Sequence, residues 1–585
     1  MNRLPRRGRD AGMGLVAVIA VTAIMATLVI ASTAIALSSL HHGKRTADWD
    51  AALAAAYAGV EEYRSNLTSD ATYQRYGNPA APFTVASGSA PLVVLPPTPN
   101  PAFGLGPDGS WATVPGSDGA ARYRYEVDTA GFGSDGLIRV RSTGAVGEHT
   151  RSVVASITQD GYIRFLYWSD YELTQSMAES ADCKDTNWNT AANRLKYSWE
   201  GRSDIKCVPQ AFLSRDVLDG PVYTNDHLWI CGTKFKGPVY SMTTKTPRYT
   251  LPEFDCDYPT FAVPGGPMVP DSKIEMPATS SELRRETRSD LPGVPRPGCL
   301  YTGPTSITFT GDGYMQVRSR WTRYTQVAGN GSTSGSNNVS RCGMPGTQPG
   351  QLGSTGGARV PVIEGSLAYV QNVPSVTTDV NYTAQTAANR TALCGASDDS
   401  ANGLGYPTTN EWLLTAGTYG CAVGDVFASG VLDGRTTIVA ENRLWVVGDM
   451  TYAGTDDILG LIGQTSVTVW HPLKAYNMSL FGKGNRKIEA AILSVNGTFE
   501  AQSWGHGDPI GVLHVYGSIA QKYRGRVGGD RLQGGAASGY DKNYRYDPRF
   551  ETVTPPKFLR ATNTAFKTGQ IAEVSPAFDT AGNAH

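Results

Sequence analysis

Between Ala11 and His42 the chain carries no charged residue, and the next charge is Lys44. About 20 apolar residues suffice to cross a bilayer, so this stretch predicts a membrane-spanning helix. The helical pattern does not stop there: ADWDAALAAAYAGVEEYRSNL continues it, and one helix is expected over 13–67. Beyond residue 70 the period changes. Short alternating runs of Val, Ile, Leu and Tyr lie between Gly, Asn and Asp turns, which is the pattern of strands. RYRYEV, LIRVRSTG and RSVVASIT predict a small β-meander over 121–158, preceded by the loop PLVVLPPTPNPAFGLGPDG. The expected organisation is a basic leader (1–12), the helix (13–67), linker and meander (68–160), a large β domain (161–556) and a polar tail (557–585).

Within the large domain a tetrapeptide repeats: Gly220-Pro221-Val222-Tyr223 returns as Gly237-Pro238-Val239-Tyr240. TTIVAENRLWVVGDMTY, LGLIGQTSVTVWHPL, IEAAILSVNGTFEAQ and GVLHVYGSIAQKYRG keep the same rhythm of apolar strand, Asn/Gly/Asp corner and strand. Asn and Gly suit left-handed corners, and strands returning to one face can stack on neighbouring rungs. The fold class expected is mainly β, with a parallel β-helix or solenoid behind the long helix. A β-sandwich is the second choice, because regular strand spacing fits it too. The Gly/Pro/Ser-rich middle, 257–425, is expected to be loop-rich, and Gly539-Tyr540 with Tyr544–Arg549 to cap the last coil.

Charge sets orientation and excludes one class of partner. Arg3, Arg6, Arg7 and Arg9 precede the apolar run. By the positive-inside rule they stay in the cytoplasm, which makes this a single-pass protein of the cytoplasmic membrane with everything after about residue 45 outside. With 18% charged residues and a net charge of −1, no basic surface for nucleic acid is expected. The eight cysteines are Cys183, Cys207, Cys231, Cys256, Cys299, Cys342, Cys394 and Cys421. None forms a C-x-x-C pair, and an even count in an exported domain favours disulfides. Connectivity stays open; if consecutive cysteines pair, the bridges are 183–207, 231–256, 299–342 and 394–421.

Leader, apolar helix and the segment Ala55-Ala56-Tyr57-Ala58-Gly59-Val60-Glu61-Glu62 together resemble the N-terminal region of PilX-type minor pilins and minor pseudopilins. Tyr57 departs from the family, which usually has Glu there. The resemblance implies cleavage by a prepilin peptidase between Gly12 and Met13, and partners among other pilus subunits. It also implies a role as a minor or tip subunit in assembly or adhesion, with a surface ligand possible. The fifth mature position, where major pilins carry Glu, is Ala17. Ala51, Ala55 and Gly59, with Ala52 and Ala56 beside them, form a small-residue stripe that lets a partner approach closely. That partner is either another pilin helix or the chain's own globular part. GPVYTNDHLWICG (220–232), DILGLIG (457–463) and GSIAQKYRGRVG (517–528) resemble the uncharacterised exported domain found behind such helices, which implies no chemistry.

Catalytic signatures are sparse. G-x-G-x-x-G occurs at 104–109 and 131–136, read as turns, and no P-loop, G-x-S-x-G or H-E-x-x-H is present. Asn225-Asp226 and Asp456-Asp457 are the best carboxylate candidates, with Asp449, Arg443 and Arg524 as further possible groove residues. Turn and packing roles explain them more cheaply, so no enzyme activity, metal or cofactor is expected. Calcium in the Asp/Asn corners stays open. The alternatives to a pilin are an envelope protein on a plain signal anchor, or an anchored polysaccharide-active enzyme.

Overall fold

A computed structural model of the chain describes residues 11–585 except 91, 106–110, 133–135, 160, 185–194, 215, 253–255, 271, 292, 295, 416, 476–477, 530–537 and 563–565. The basic leader, up to residue 10, lies outside the described residues. The fold is mainly β and divides into two units. One holds the chain through Asp128, Arg139–Ile157 and Thr568–His585; the other holds Thr129–Ile138 and Thr158–Lys567.

The first unit begins with one helix, Ala11–Ser69, of 59 residues, or about 90 Å at 1.5 Å per residue. From Gly14 to Ala47 every residue is exposed. Its hydroxyls are satisfied within the helix: Thr22 donates to Val18 O at 2.8 Å, Thr27 to Ile24 O at 2.8 Å and Thr33 to Val29 O at 2.6 Å. Such back-bonding is what an apolar solvent demands of polar groups. Past residue 50 the helix changes character. Ala52, Ala55, Ala56, Gly59, Val60, Tyr63 and Leu67 are buried, a stripe at 3–4-residue spacing that faces a core.

That core is a sheet with strand order Ala112–Thr113, Ala121–Asp128, Leu137–Val146, His149–Gln159, Phe566–Val574. The second and third strands pair antiparallel, from Ala121↔Val146 to Asp128↔Arg139. Helix and sheet touch through glycines. A Cβ at Gly144 would lie 2.1 Å from Ala52 O and 2.3 Å from Ala56 N; one at Gly59 would lie 2.3 Å from Ser142 Oγ.

Two expectations are corrected here. The Pro-rich stretch is not a free linker: Val93, Ala102 and Phe103 are buried, and Phe103 packs on Tyr125 and Tyr63 at centroid distances of 4.9 and 6.3 Å. Nor is 557–585 a polar tail, since Phe566–Val574 is a strand of this sheet. It is held by ionic and cation–π contacts instead of an alternating apolar face. Arg151 pairs with Glu573 at 2.7 Å, and Arg124 lies 3.9 Å over Phe578.

The second unit is built on a 21-stranded mixed sheet in which parallel ladders predominate, with antiparallel pairs where Tyr314–Ser319 meets Thr305–Thr310 and Ala358–Pro361. One ladder aligns Cys299, Ala368, Ile438, Leu461, Ile492, Ile519, Tyr167, Val222 and Val239 in register. All nine side chains are 4% exposed or less. A second aligns Thr305, Val426, Leu444, Val467 and Phe499. A third runs Phe309, Gly430, Met450, Ile488, Val515, Tyr544, Leu218, Phe235 and Phe261. The parallel sense departs from the antiparallel pairing of a sandwich. The repeated Gly-Pro-Val-Tyr segments stack directly, Val222 on Val239 and Tyr223 on Tyr240.

The ladder order does not follow the chain. Strand Tyr167–Tyr171 lies between Pro509–Tyr523 and Val222–Thr224. The chain therefore starts in the middle of the stack, builds outward to Phe261, resumes at the far end with Cys299 and winds back. This corrects the cap assignment: strand Ser538–Tyr546 is an internal rung between Pro509–Tyr523 and Val217–Asp219. The middle segment is less loop-like than expected, since Cys299–Thr302, Thr305–Thr310 and Ser366–Gln371 are ladder strands. Four disulfides close consecutive cysteines: 183–207, 231–256, 299–342 and 394–421. On the chain-entropy account each restricts the unfolded chain by roughly 3–4 kcal/mol.

Candidate functional site

Three places could carry function: the exposed half of the helix, the candidate carboxylates, and a groove on the ladder unit. In the helix, Gly12 and Met13 fall in the first turn, and Ala17 sits on the exposed stretch. The small-residue stripe has a partner. Ala55 and Gly59 are buried and Ala51 is half-buried, with the Gly59 contact made to Ser142 and Tyr123 of the chain's own sheet. Of the two partners open to the stripe, the chain's own globular part is the one the structure shows. Tyr57 points away, 40% exposed.

The candidate carboxylates other than Asp456 have local partners. Asp226 is fully buried against Arg202 at 2.7 Å, both side chains at 0% exposure, and it accepts from Ser198 N at 2.8 Å. Asn225 donates to Asp170 at 2.8 Å and to Ile274 O at 2.6 Å. Asp457 accepts from Gly434 N and Gly454 N at 2.7 and 2.6 Å, holding a turn, while Asp456 is exposed. Asp449 faces Arg486 at 3.4 Å. Arg524 is buried on Glu172 at 2.6 Å. Among the described residues no group of three or more His, Cys, Asp or Glu is placed to hold a metal ion. Both G-x-G-x-x-G stretches run partly outside the described residues.

Beside Asp226, His227 bridges Thr243 and Thr250, its ring nitrogens 3.0 and 2.9 Å from their hydroxyls. Burial, with Lys245 adding to it, pushes its pKa down to about 4. This polar knot ties the segments carrying Thr243 and Thr250 to the start of strand Leu228–Ile230.

Sequence reasoning missed the groove. Its floor is the outer face of strands Arg443–Tyr452, Ser466–Val469 and Phe499–Ala501. There Trp445, Thr468 and Glu500 align in register. One wall is formed by Leu414, Thr415 and the loop 417–423, and the other by the turn 501–506 carrying Trp504. Tyr419 braces the first wall: it donates to Glu411 at 2.6 Å and accepts from Gln502 at 2.8 Å and Trp470 at 2.9 Å. Disulfide 394–421 pins the same loop. In the second wall Ser503 has a φ of 53°, a left-handed conformation that costs a non-glycine residue about 1 kcal/mol. Arg443 stacks 5.0 Å from the Trp445 ring. Burial raises the Glu500 carboxyl above its ordinary value, opposed by Arg443. The available signal was the run of large aromatic and charged residues at outward strand positions. The missing information was which rungs adjoin.

No protein-family model matches the chain, and no curated protein matches it. Among solved structures, the crystal structure of the competence-associated pilin ComZ from Thermus thermophilus is similar at 12% identity. It covers 90% of this chain and 97% of its own, with a TM-score of 0.25.

Proposed function

We propose that the protein is a membrane-anchored, pilin-like subunit of a type IV pilus or related secretion filament, in a minor or tip position, with its large domain outside the cell. The observation that carries this is the division of one helix. Its first half is apolar and exposed along its whole length, and its second half is seated on an antiparallel pair of strands through Gly59 and Gly144. Such a helix can lie in lipid or among other helices while its own fold stays intact. The arginine leader and the four disulfides support the outward placement. Ala17 supports a minor or tip position, because it offers no carboxylate to pair with a neighbour's terminal amine. In this reading the ladder unit serves by presenting surface, a role supported by the local ties that hold Asp226 and Asp457.

The test is the mature N-terminus of protein recovered from membranes and from sheared surface filaments. The expected result is a chain beginning at Met13, present in the filament fraction, and retained uncleaved when Gly12 is replaced by a bulky residue. A chain that still begins at Met1 and never leaves the membrane fraction overturns the proposal in favour of a plain signal anchor.

A further inference from the structure

We infer that the groove over Trp445, Thr468 and Glu500 is a binding site for an uncharged oligosaccharide. The inference is independent of whether the helix enters a filament. Strands in a sheet lie ~4.8 Å apart, so the three in-register residues spread different chemistry over about 10 Å of floor. At one end the Trp445 indole, 1% exposed and packed on Phe427 and Tyr419, closes the floor; Thr468, 2% exposed, lies in the middle, and the half-buried Glu500 carboxyl lies at the other end. Two polar atoms of this floor, Thr468 Oγ1 and Arg443 Nε, are buried without a hydrogen-bond partner. Buried polar groups in native folds are nearly always paired, so these two call for an outside partner. Trp504 stands half-buried on the rim, with Arg526 4.5 Å from its ring centroid. The strained turn at Ser503 sets it there, and strain of this kind collects at functional sites.

Charge selects the class of ligand. Arg443 and Glu500 balance, and Asp399 on the wall is paired with Arg390. The site therefore offers both donors and acceptors beside aromatic surface without net charge. A polyanion would find no net positive charge to hold it, since Arg443 and Arg390 already face Glu500 and Asp399. A peptide could not readily add as a strand, because Arg443–Tyr452 and Ser466–Val469 already pair on both sides within the ladder and, in the third strand, Ala501 N already donates to Arg526 O at 2.9 Å. A sugar ring has the complementary make-up: hydroxyls around the edge that both give and take hydrogen bonds, and an apolar face to lie on indole.

The test uses the full-length protein in a detergent without a sugar headgroup, titrated with cellotetraose, maltotetraose, chitotetraose and mannotetraose, with tetragalacturonate as the acidic control. Heat of binding and tryptophan fluorescence are the readouts. The expected result is saturable binding of at least one neutral probe, with tetragalacturonate weaker by about tenfold or more. Trp504→Ala and Glu500→Ala should each weaken the neutral probe by about tenfold, a loss of ~1.4 kcal/mol, with Trp504→Phe recovering part of it. Circular dichroism of each variant checks the fold, and the rescue by phenylalanine keeps the test informative if alanine loosens the wall. Three results overturn the inference: no neutral probe binding at millimolar concentration, tetragalacturonate binding as tightly as any neutral probe, or binding unchanged in both alanine variants.

Discussion

Acidification should loosen the ladder unit around His227. The ring is buried at 1% exposure, and both nitrogens face threonine hydroxyls. Its folded pKa is about 4, against an ordinary value of 6.5. The sign follows from which state takes the proton. Above pH 6.5 the ring is neutral folded and unfolded, and its contribution is complete. Between pH 6.5 and 4 the unfolded chain binds a proton that the folded one refuses, so stability falls as the pH falls. At pH 5 the loss is about 2 kcal/mol, and it levels off near 3 kcal/mol below pH 4. The assay is hydrogen exchange of the full-length protein at pH 7 and pH 5, read on peptides covering 217–250 and corrected for intrinsic rates. His227→Gln keeps a neutral hydrogen-bonding side chain with nothing to titrate, and should remove most of the acid-dependent part. Equal acid losses in wild type and His227→Gln, or a wild type more protected at pH 5, would refute the reasoning.

Three further perturbations follow from the packing. Gly144→Val should lift the sheet from the helix, because its side chain would meet helix backbone; a loss of about 3 kcal/mol is expected, seen as proteolytic release of 71–128. Ile492→Asp, in the middle of the nine-residue ladder, should abolish folding of the ladder unit, because an unpaired buried carboxylate costs several kcal/mol; the readout is loss of export or of a cooperative melt. Arg202→Met should destabilise by about 3–5 kcal/mol by stranding Asp226. Restoration by Asp226→Asn in the double variant, measured by thermal melting, would confirm that the pair is structural.

The sequence disclosed what is local and periodic. The helix appeared within two residues of its observed C-terminal limit, Ser69, because apolar length and alanine-rich helix propensity act along the chain. The repeated Gly-Pro-Val-Tyr disclosed one rung contact, Val222 on Val239, because neighbouring rungs are near in sequence there. Strand Phe566–Val574 was missed because its exposure pattern barely alternates; its ion pair is with Arg151, hundreds of residues away. The groove was missed for a related reason. Glu500 and Trp445 are outward residues of different rungs, and only the ladder register brings them onto one floor. Asp226 was read as a possible acid because burial is invisible in sequence; its partner Arg202 lies 24 positions upstream.

The mid-stack position of strand Tyr167–Tyr171 has a consequence for how the protein is made. As the chain emerges from its N-terminus onward, the rungs through Phe261 have one edge of their ladder open until Pro509–Tyr523 and Ser538–Tyr546 arrive. The sheet of the first unit likewise waits for Phe566–Val574. Neither unit can finish before nearly the whole polypeptide has emerged. Unpaired strand edges recruit other chains, and pairings this distant in sequence form slowly. Synthesis of this chain therefore creates a window of exposure that a holdase would have to cover, and a chain terminated before residue 509 would leave that window permanently open.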